Sequence, residues 1–115
     1  MTIIDDYLDY QEKYTKEYNE NTLVLMQVGH FYEAYAVDND HESVNADNIY
    51  KTADIMNIQV TRKNKSIVKN SRANPIMIGV NIYSKDKYIP ILLNAGFTIV
   101  MIEQTTEPPN PKREV

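Results

Sequence analysis

The run of residues 22–28, Thr-Leu-Val-Leu-Met-Gln-Val, constrains the fold of this chain more than any other stretch. It is short, almost wholly apolar and followed directly by Gly29, which is typical of a central strand that is buried on both faces of a sheet. A strand of this kind needs parallel neighbours or covering helices, so the flanking sequence must supply them.

Helical and extended patterns alternate along the rest of the chain. Three stretches carry apolar residues at helical spacing: residues 5–19, 46–56 and 84–95. Three further short apolar runs predict strands: residues 58–61, 75–80 and 97–102. Helices that alternate with short strands predict an α/β fold, with a mixed, partly parallel sheet flanked by about three helices. These patterns leave the strand order open.

Two of the predicted helices have features that the structure can test. The first carries a tyrosine-rich stripe that we expect to be half-buried: Ile4, Tyr7, Leu8, Tyr14 and Tyr18. The third has Ser84 as its predicted cap, and one face is formed by Tyr88, Ile91, Leu92 and Ala95. Pro90 lies beyond a first turn there, which predicts that this helix is kinked or starts later than Ser84.

The composition predicts one folded domain over residues 1–115, with residues 107–115 as an extended, proline-containing exit segment. Hydrophobic residues make up 43% and charged residues 24% of the chain, which is typical of a globular protein. The absence of cysteine excludes disulfides and thiolate metal sites, and His30 and His41 are too few for a histidine metal cage. No apolar run approaches the length of a membrane span, and the acidic start does not resemble a signal peptide, so we expect a soluble intracellular protein.

The net charge of −4 conceals a strong asymmetry. Residues 1–50 hold eleven acidic and two basic side chains, whereas residues 51–115 hold five acidic and ten basic ones. Half of these later cations fall in one short stretch without an acid: Arg62, Lys63, Lys65, Lys69 and Arg72. The loop predicted for residues 63–74 is therefore either a phosphate-facing patch or a solvated basic loop.

The most specific motif is Gly29-His30-Phe31-Tyr32-Glu33, which is similar to the G-x-F-Y-E signature of the MutS family of DNA mismatch repair proteins. Three supporting matches follow in the family's order. Residues 58–63 resemble its I-x-L-T-[RK]-[RK] strand, residues 74–80 its P-x-M-A-G-[IF] segment, and residues 88–104 its Y-x-x-x-L-x-x-x-G…V-x-I-x-E-Q ending. The chain thus resembles the amino-terminal, mismatch-recognition domain of that family over nearly all of its length.

This resemblance implies a role for each residue of the motif. Phe31 is expected to enter the minor groove and stack on a mispaired base, and Glu33 to contact the same base. If residues 30–34 are extended, these two side chains share one face, and Tyr32 packs inward on the other. Gly29 supports the turn by close backbone approach or a positive φ. Taken alone, Phe31 would be assigned to the core and Glu33 to an exposed edge.

The resemblance also implies the partners and the missing parts. Double-stranded DNA with mismatches is the expected partner, and Arg62, Lys63 and Lys65 are the candidate phosphate contacts. The chain lacks a G-x-x-x-x-G-K-[ST] motif. ATP, magnesium, ATPase activity and dimerisation are therefore expected in missing domains, and this domain is expected to be an excised piece that is not itself an enzyme and holds no cofactor.

Two departures from the family pattern concern a single turn. Asn81-Ile82-Tyr83 stands where the family usually has a proline and often a histidine, and Ile78 replaces a usual small residue. The lysine- and asparagine-rich sequence of the chain resembles that of a branch of the family found in large DNA viruses.

Two other function classes compete with this interpretation. Glu33, Asp38 and Asp40 lie close in sequence and are the candidate ligands of a magnesium-dependent nuclease, although no nuclease lysine-carboxylate motif accompanies them. The tyrosine-rich first helix is the candidate docking face of a protein-interaction module.

Overall fold

The computed structural model describes residues 3–67, 69–104 and 113–114. The described helices are α1 (Ile3–Glu17), α2 (Ala46–Met56) and α3 (Lys85–Asn94). The described strands are β1 (Thr22–Val28), β2 (Phe31–Asp38), β3 (Ser43–Val44), β4 (Thr61–Arg62), β5 (Ile76–Asn81), β6 (Thr98–Gln104) and β7 (Arg113–Glu114). The predicted alternation of helices and strands is confirmed.

The sheet is mixed and partly parallel, as predicted. Its strand order is β4-β5-β2-β1-β6-β7, and β3 pairs with β2 beside this path. β1 runs parallel to β6, from Thr22 opposite Thr98 to Met26 opposite Ile102, and the other described strand pairs are antiparallel. Residues 23–26 are almost completely buried, which confirms the prediction of a central strand.

β1 and β2 form a hairpin that pairs over a short length only. The described register runs from Val28 opposite Phe31 to Met26 opposite Glu33. Farther along β1, side chains of α1 bond to backbone groups of the strand. Buried Gln11 donates from Nε2 to the Thr22 carbonyl at 2.7 Å, and its Oε1 accepts from the Val24 N–H at 2.9 Å. The Gln11 amide therefore satisfies buried backbone groups as a neighbouring strand would.

Tyr7 completes this contact one helical turn earlier. Its hydroxyl donates to the Val24 carbonyl at 2.8 Å and lies 3.2 Å from Gln11 Oε1. Burial raises the pKa of Tyr7, which keeps the hydroxyl protonated as a donor. The tyrosine-rich stripe of α1 is thus a core element, and the expectation that it is half-buried is wrong for four of its members. The buried members are Ile4, Tyr7, Leu8 and Tyr14, and the exposed member is Tyr18.

Several predicted element details also need correction. The strand predicted for residues 58–61 is reduced to Thr61–Arg62, because α2 ends in a turn at Asn57, in the left-handed region at φ 57°, and residues 58–60 do not enter the ladder. The helix α3 begins at Lys85, directly after Ser84, and runs through Pro90, so it does not start later. On its predicted apolar face Leu92 is buried, Tyr88 is partly buried, and Ile91 and Ala95 are exposed.

The predicted exit segment 107–115 lies mostly outside the described residues. Its described part, Arg113–Glu114, is the strand β7, which pairs antiparallel with β6 through Gln104 opposite Arg113 and Glu103 opposite Glu114. In the described part of the chain, no helix combines the length and the apolar character that a membrane crossing requires.

Replacement of Gln11 by alanine tests the contact between α1 and β1. Gln11→Ala is expected to lower the free energy of unfolding by about 1–3 kcal/mol, because the buried Val24 N–H loses its acceptor and the Thr22 carbonyl its shorter hydrogen bond. Urea unfolding followed by circular dichroism measures the change.

Glu12→Ala is the matched control on the same helix. Glu12 forms an exposed ion pair with Lys16 at 2.9 Å, so its loss is expected to change the free energy of unfolding by less than about 0.5 kcal/mol. Equal destabilisation by the two variants would contradict the proposed importance of the Gln11 amide.

Candidate nucleic-acid interface

The turn between β1 and β2 places Phe31 at the start of β2. Gly29 has a φ of +62°, and a Cβ built there meets no atom within 4 Å. The turn therefore uses the backbone freedom of glycine, one of the two predicted reasons, and does not need it for close approach. The His30 carbonyl accepts from the Ile82 N–H at 2.9 Å, which ties the turn to the end of β5.

Side chains alternate along the start of β2 as predicted. Phe31 is 47% exposed, Tyr32 is buried, and Glu33 is half-buried. Phe31 and Glu33 line one open groove on the same side of the sheet. When Phe31 is considered without the family resemblance, its residue type favours a position in the core, and this assignment is wrong.

Two further strands, β4 and β5, and the residues that flank β4 supply the remaining walls of this groove. In the register Glu33 lies opposite Gly79, and Met77 lies between Tyr35 on one side and Thr61 on the other. The groove is lined by Phe31, Glu33, Gln59, Thr61, Arg62, Lys63, Lys65, Met77 and Gly79. The order β4-β5-β2 thus brings the predicted cations to the predicted probe, although about thirty residues separate them in sequence.

Tyr32 points away from this groove and connects β2 to β6. Its hydroxyl donates to Glu103 Oε1 at 2.9 Å. Burial, and then the hydrogen bond to the Glu103 carboxylate, raise the pKa of Tyr32 to about 12. Tyr32 therefore packs inward as predicted and stays neutral as part of the framework.

The cations of the basic stretch have different surroundings. Lys63 and Lys65 are exposed, and the Lys63 ammonium lies 5.2 Å from the centroid of the Tyr35 ring. Arg62 is half-buried and donates from its guanidinium to the Lys65 carbonyl at 2.9 Å. Lys63 and Lys65 are thus available to an anionic ligand, whereas part of Arg62 is committed to the loop.

The other two cations of the stretch do not line the groove. Lys69 is exposed elsewhere on the loop, and Arg72 pairs with Glu42 at 3.4 Å. Of the five cations in this stretch, only Arg62, Lys63 and Lys65 therefore line the groove with Phe31.

Asn74 organises the basic loop and was not singled out from the sequence. It is buried, its Oδ1 accepts from the Asn64 N–H at 2.7 Å, and its Nδ2 donates to the carbonyls of Asn64, Ile67 and Lys69 at 3.1–3.3 Å. One amide side chain thus satisfies four backbone groups of the loop. The only sequence signal was an asparagine directly before Pro75 at the loop's end.

Tyr35 is a second residue that sequence reasoning missed. It lies two positions after Glu33 on the same strand, and its hydroxyl donates to Glu33 Oε1. The period of two along β2 was the available signal, because it places Phe31, Glu33 and Tyr35 on one side.

The turn that departs from the family pattern forms without a proline. Asn81 has a φ of −62°, which is the value at which a proline is fixed. Its side chain accepts from the Tyr83 N–H at 2.9 Å and caps the short 3-10 helix Ile82–Ser84. Asn81 therefore adopts the φ that a proline would have and also caps the short helix.

The acidic residues considered for a nuclease do not gather. Asp38 accepts from the Tyr50 hydroxyl at 2.8 Å, at the far end of β2 from Phe31. Within the described ranges, no group of three or more histidine, aspartate or glutamate residues is placed to hold a metal ion.

Comparison with known proteins gives one family. The family model "MutS domain I" matches residues 7–115. A mutS homologue of Acanthamoeba polyphaga mimivirus is 32% identical over 114 residues, which is 98% of this chain and 10% of that protein. DNA mismatch repair protein MutS of Streptococcus gordonii is 33% identical over 117 residues, 97% of this chain and 12% of that protein.

A third relative agrees with these two. MutS of Streptococcus sanguinis is 31% identical over 110 residues, 95% of this chain and 11% of that protein. The chain therefore spans about a tenth of the length of the relatives it matches. One of the three relatives is viral, in line with the resemblance of this sequence to a viral branch of the family.

Asn74→Ala is expected to loosen the basic loop, because the Asn64 N–H loses its acceptor and the carbonyls of Asn64, Ile67 and Lys69 each lose a hydrogen bond from the Asn74 amide. Hydrogen exchange at the Asn64 amide should accelerate by at least tenfold, which corresponds to about 1.4 kcal/mol and lies within the cost of one lost buried partner. Ser66→Ala, an exposed side chain of the same loop, is the control and should leave exchange unchanged. Unaltered protection in Asn74→Ala would show that the loop is held by other contacts.

Proposed function

This chain belongs to the MutS family as its domain I, and on that premise we propose that it recognises mispaired bases in double-stranded DNA by insertion of Phe31. The observation that carries the proposal is the groove in which a half-exposed aromatic ring, a carboxylate and three basic residues meet on one side of the sheet. The relatives are named as DNA mismatch repair proteins, so mismatched DNA is the ligand that fits this combination.

Phe31 is the wedge in this mechanism. A mismatch has already lost pairing energy, so the duplex is easier to kink and unstack there than at a matched pair. Insertion of an aromatic ring then costs a few kcal/mol for the unstacked step, partly offset by stacking on the base. Matched DNA gains the same stacking at a higher cost, and the difference is the preference for the mismatch.

Glu33 contacts the base beside the wedge. Since it lies on the same side of β2 as Phe31, both side chains reach one base. A carboxylate close to phosphates is repelled unless it gains a hydrogen bond. Glu33 thereby disfavours matched duplex, in which no base edge is freed for that bond.

The exposed cations supply affinity that does not depend on sequence. Lys63 and Lys65 face the groove, and Arg62 holds the loop that carries them. Neutralised phosphates release counterions, which strengthens binding to matched and mismatched DNA alike. ATP and magnesium binding and dimerisation are assigned to parts of the parent protein outside this chain.

Phe31→Ala is expected to remove the preference of the full-length protein for mismatched over matched duplex, while the domain stays folded. The lost base stacking corresponds to about 1–3 kcal/mol. Competition binding with two fluorescent duplexes that differ at one base pair measures the ratio of affinities.

Leu93→Ala is the matched control, since Leu93 is an apolar side chain on α3 with 52% exposure and does not line the groove. The Leu93→Ala variant should prefer mismatched over matched duplex as strongly as the unaltered protein does. A Phe31→Ala variant that still discriminates would exclude the wedge mechanism.

Lys65→Ala is expected to weaken binding to matched and mismatched DNA by the same factor. If Lys65 neutralises one phosphate, the slope of log K against log salt concentration should fall in magnitude by about 0.9. Lys69→Ala removes an exposed lysine of the same loop that does not line the groove and should leave the slope nearly unchanged. If Lys65→Ala and Lys69→Ala showed the same salt dependence, Lys65 would not be a phosphate contact of the groove.

A further inference from the structure

Glu33 is held by a hydrogen bond from inside its own strand. Tyr35 follows it at the period of two, and the Tyr35 hydroxyl donates to Glu33 Oε1. The tyrosine is completely buried, whereas the carboxylate is half-buried and lines the groove. The donor, the Tyr35 hydroxyl, therefore belongs to a residue in the protein interior, and the acceptor, the Glu33 carboxylate, belongs to a residue that faces the groove.

The Tyr35 ring packs against α1, and the backbone of Tyr35 is held by a hydrogen bond and by strand pairing. The Tyr7 ring meets it edge-on at 5.3 Å between centroids and 88° between planes. The Tyr35 carbonyl accepts from Asn45 Nδ2 at 2.9 Å, and Tyr35 lies opposite Met77 in the β2–β5 register. A tyrosine has only two side-chain torsions, so these contacts fix the position of its hydroxyl.

The basic loop touches the same ring. The Lys63 ammonium lies 5.2 Å from the Tyr35 centroid, a distance at which a cation is attracted by the ring. Tyr35 is thus in contact with α1, with the carboxylate of the groove and with a candidate phosphate-binding lysine.

Such a donor changes what Glu33 offers to a ligand. An ionised carboxylate has roughly four acceptor positions, so one bond from Tyr35 leaves capacity for a base. A glutamate side chain has high rotamer freedom, and the entropy lost when it is ordered weakens binding unless it is ordered beforehand.

We propose that Tyr35 is a positioning residue that holds the Glu33 carboxylate, before DNA arrives, in the orientation that contacts the base beside Phe31. The proposal rests on the proposed function of Phe31 and Glu33. It predicts that mismatch discrimination depends on one buried hydroxyl that does not itself touch DNA.

Tyr35→Phe tests this, because it removes one oxygen and retains the ring that packs on Tyr7. In the full-length protein, affinity for mismatched duplex should fall about 3- to 10-fold, as expected for one hydrogen bond. Affinity for matched duplex should stay unchanged. In a Glu33→Ala background the same substitution should have no further effect on mismatch affinity.

Tyr50→Phe is the matched control. The Tyr50 hydroxyl also donates to a carboxylate of β2, Asp38, at 2.8 Å, but neither residue lines the groove. Its affinities for both duplexes should equal those of the unaltered protein. Equal weakening by Tyr35→Phe in the presence and absence of the Glu33 carboxylate would show a general structural role and overturn the proposal.

A measurement without DNA keeps the two proposals apart. Side-chain scalar couplings of Glu33 in this 115-residue chain should indicate one χ1 rotamer, and averaging in Tyr35→Phe. If Phe31→Ala abolishes discrimination while Tyr35→Phe changes neither couplings nor affinity, the positioning role fails and the wedge stands. If the unaltered protein does not discriminate, both fail.

Discussion

The amide of Gln11 occupies the place where the central strand has no described pairing with β2. β1 is paired with β6 along Thr22–Met26, but its described pairing with β2 begins only at Met26. Gln11 bonds to the Thr22 carbonyl and the Val24 N–H, two buried backbone groups that a neighbouring strand would pair in a complete sheet. A helix side chain therefore completes the sheet, and the orientation of α1 over β1 follows from these bonds.

The candidate site is connected to this contact through three aromatic and polar side chains. Tyr7 bonds to the Val24 carbonyl and packs edge-on against Tyr35, which in turn donates to Glu33. The same polar contact that joins helix to strand thus ends at the carboxylate of the groove. Because Tyr7 joins the helix–strand contact to the residues of the groove, substitutions at Tyr7 are expected to alter both the stability of the domain and its DNA binding.

The basic side of the groove is built by different means. Among the described residues of the range 63–74, no regular ladder is present apart from the bridge between Ser71 and Asn74. Asn74 instead satisfies backbone groups from Asn64 to Lys69 with its single amide. A loop fixed in this way presents Lys63 and Lys65 at little additional entropic cost on binding. The acidic average charge of the chain is thereby compatible with an anionic ligand, since a local cluster matters more than the sum.

The sequence by itself determined most of the helices and strands and the side of β2 on which Phe31 and Glu33 lie. Thr22–Val28 and Ala46–Met56 match their predicted bounds, because burial on both faces imposes a continuous apolar run on the strand and burial on one face imposes a helical period on the helix. The alternation of Phe31, Tyr32 and Glu33 follows from the same rule, and the family follows from motifs in the right order. Where periodicity was weak, as in residues 58–60 and on the exposed side of α3, the predictions were wrong.

Only the tertiary structure decided which side chains meet. The strand order β4-β5-β2 places Thr61 and Lys63 in the same groove as Glu33, and no local pattern encodes that order. The roles of Gln11, Tyr35 and Asn74 were hidden for the same reason. Each acts through hydrogen bonds whose geometry is fixed by register and burial, and a glutamine, tyrosine or asparagine in sequence is equally compatible with an exposed surface.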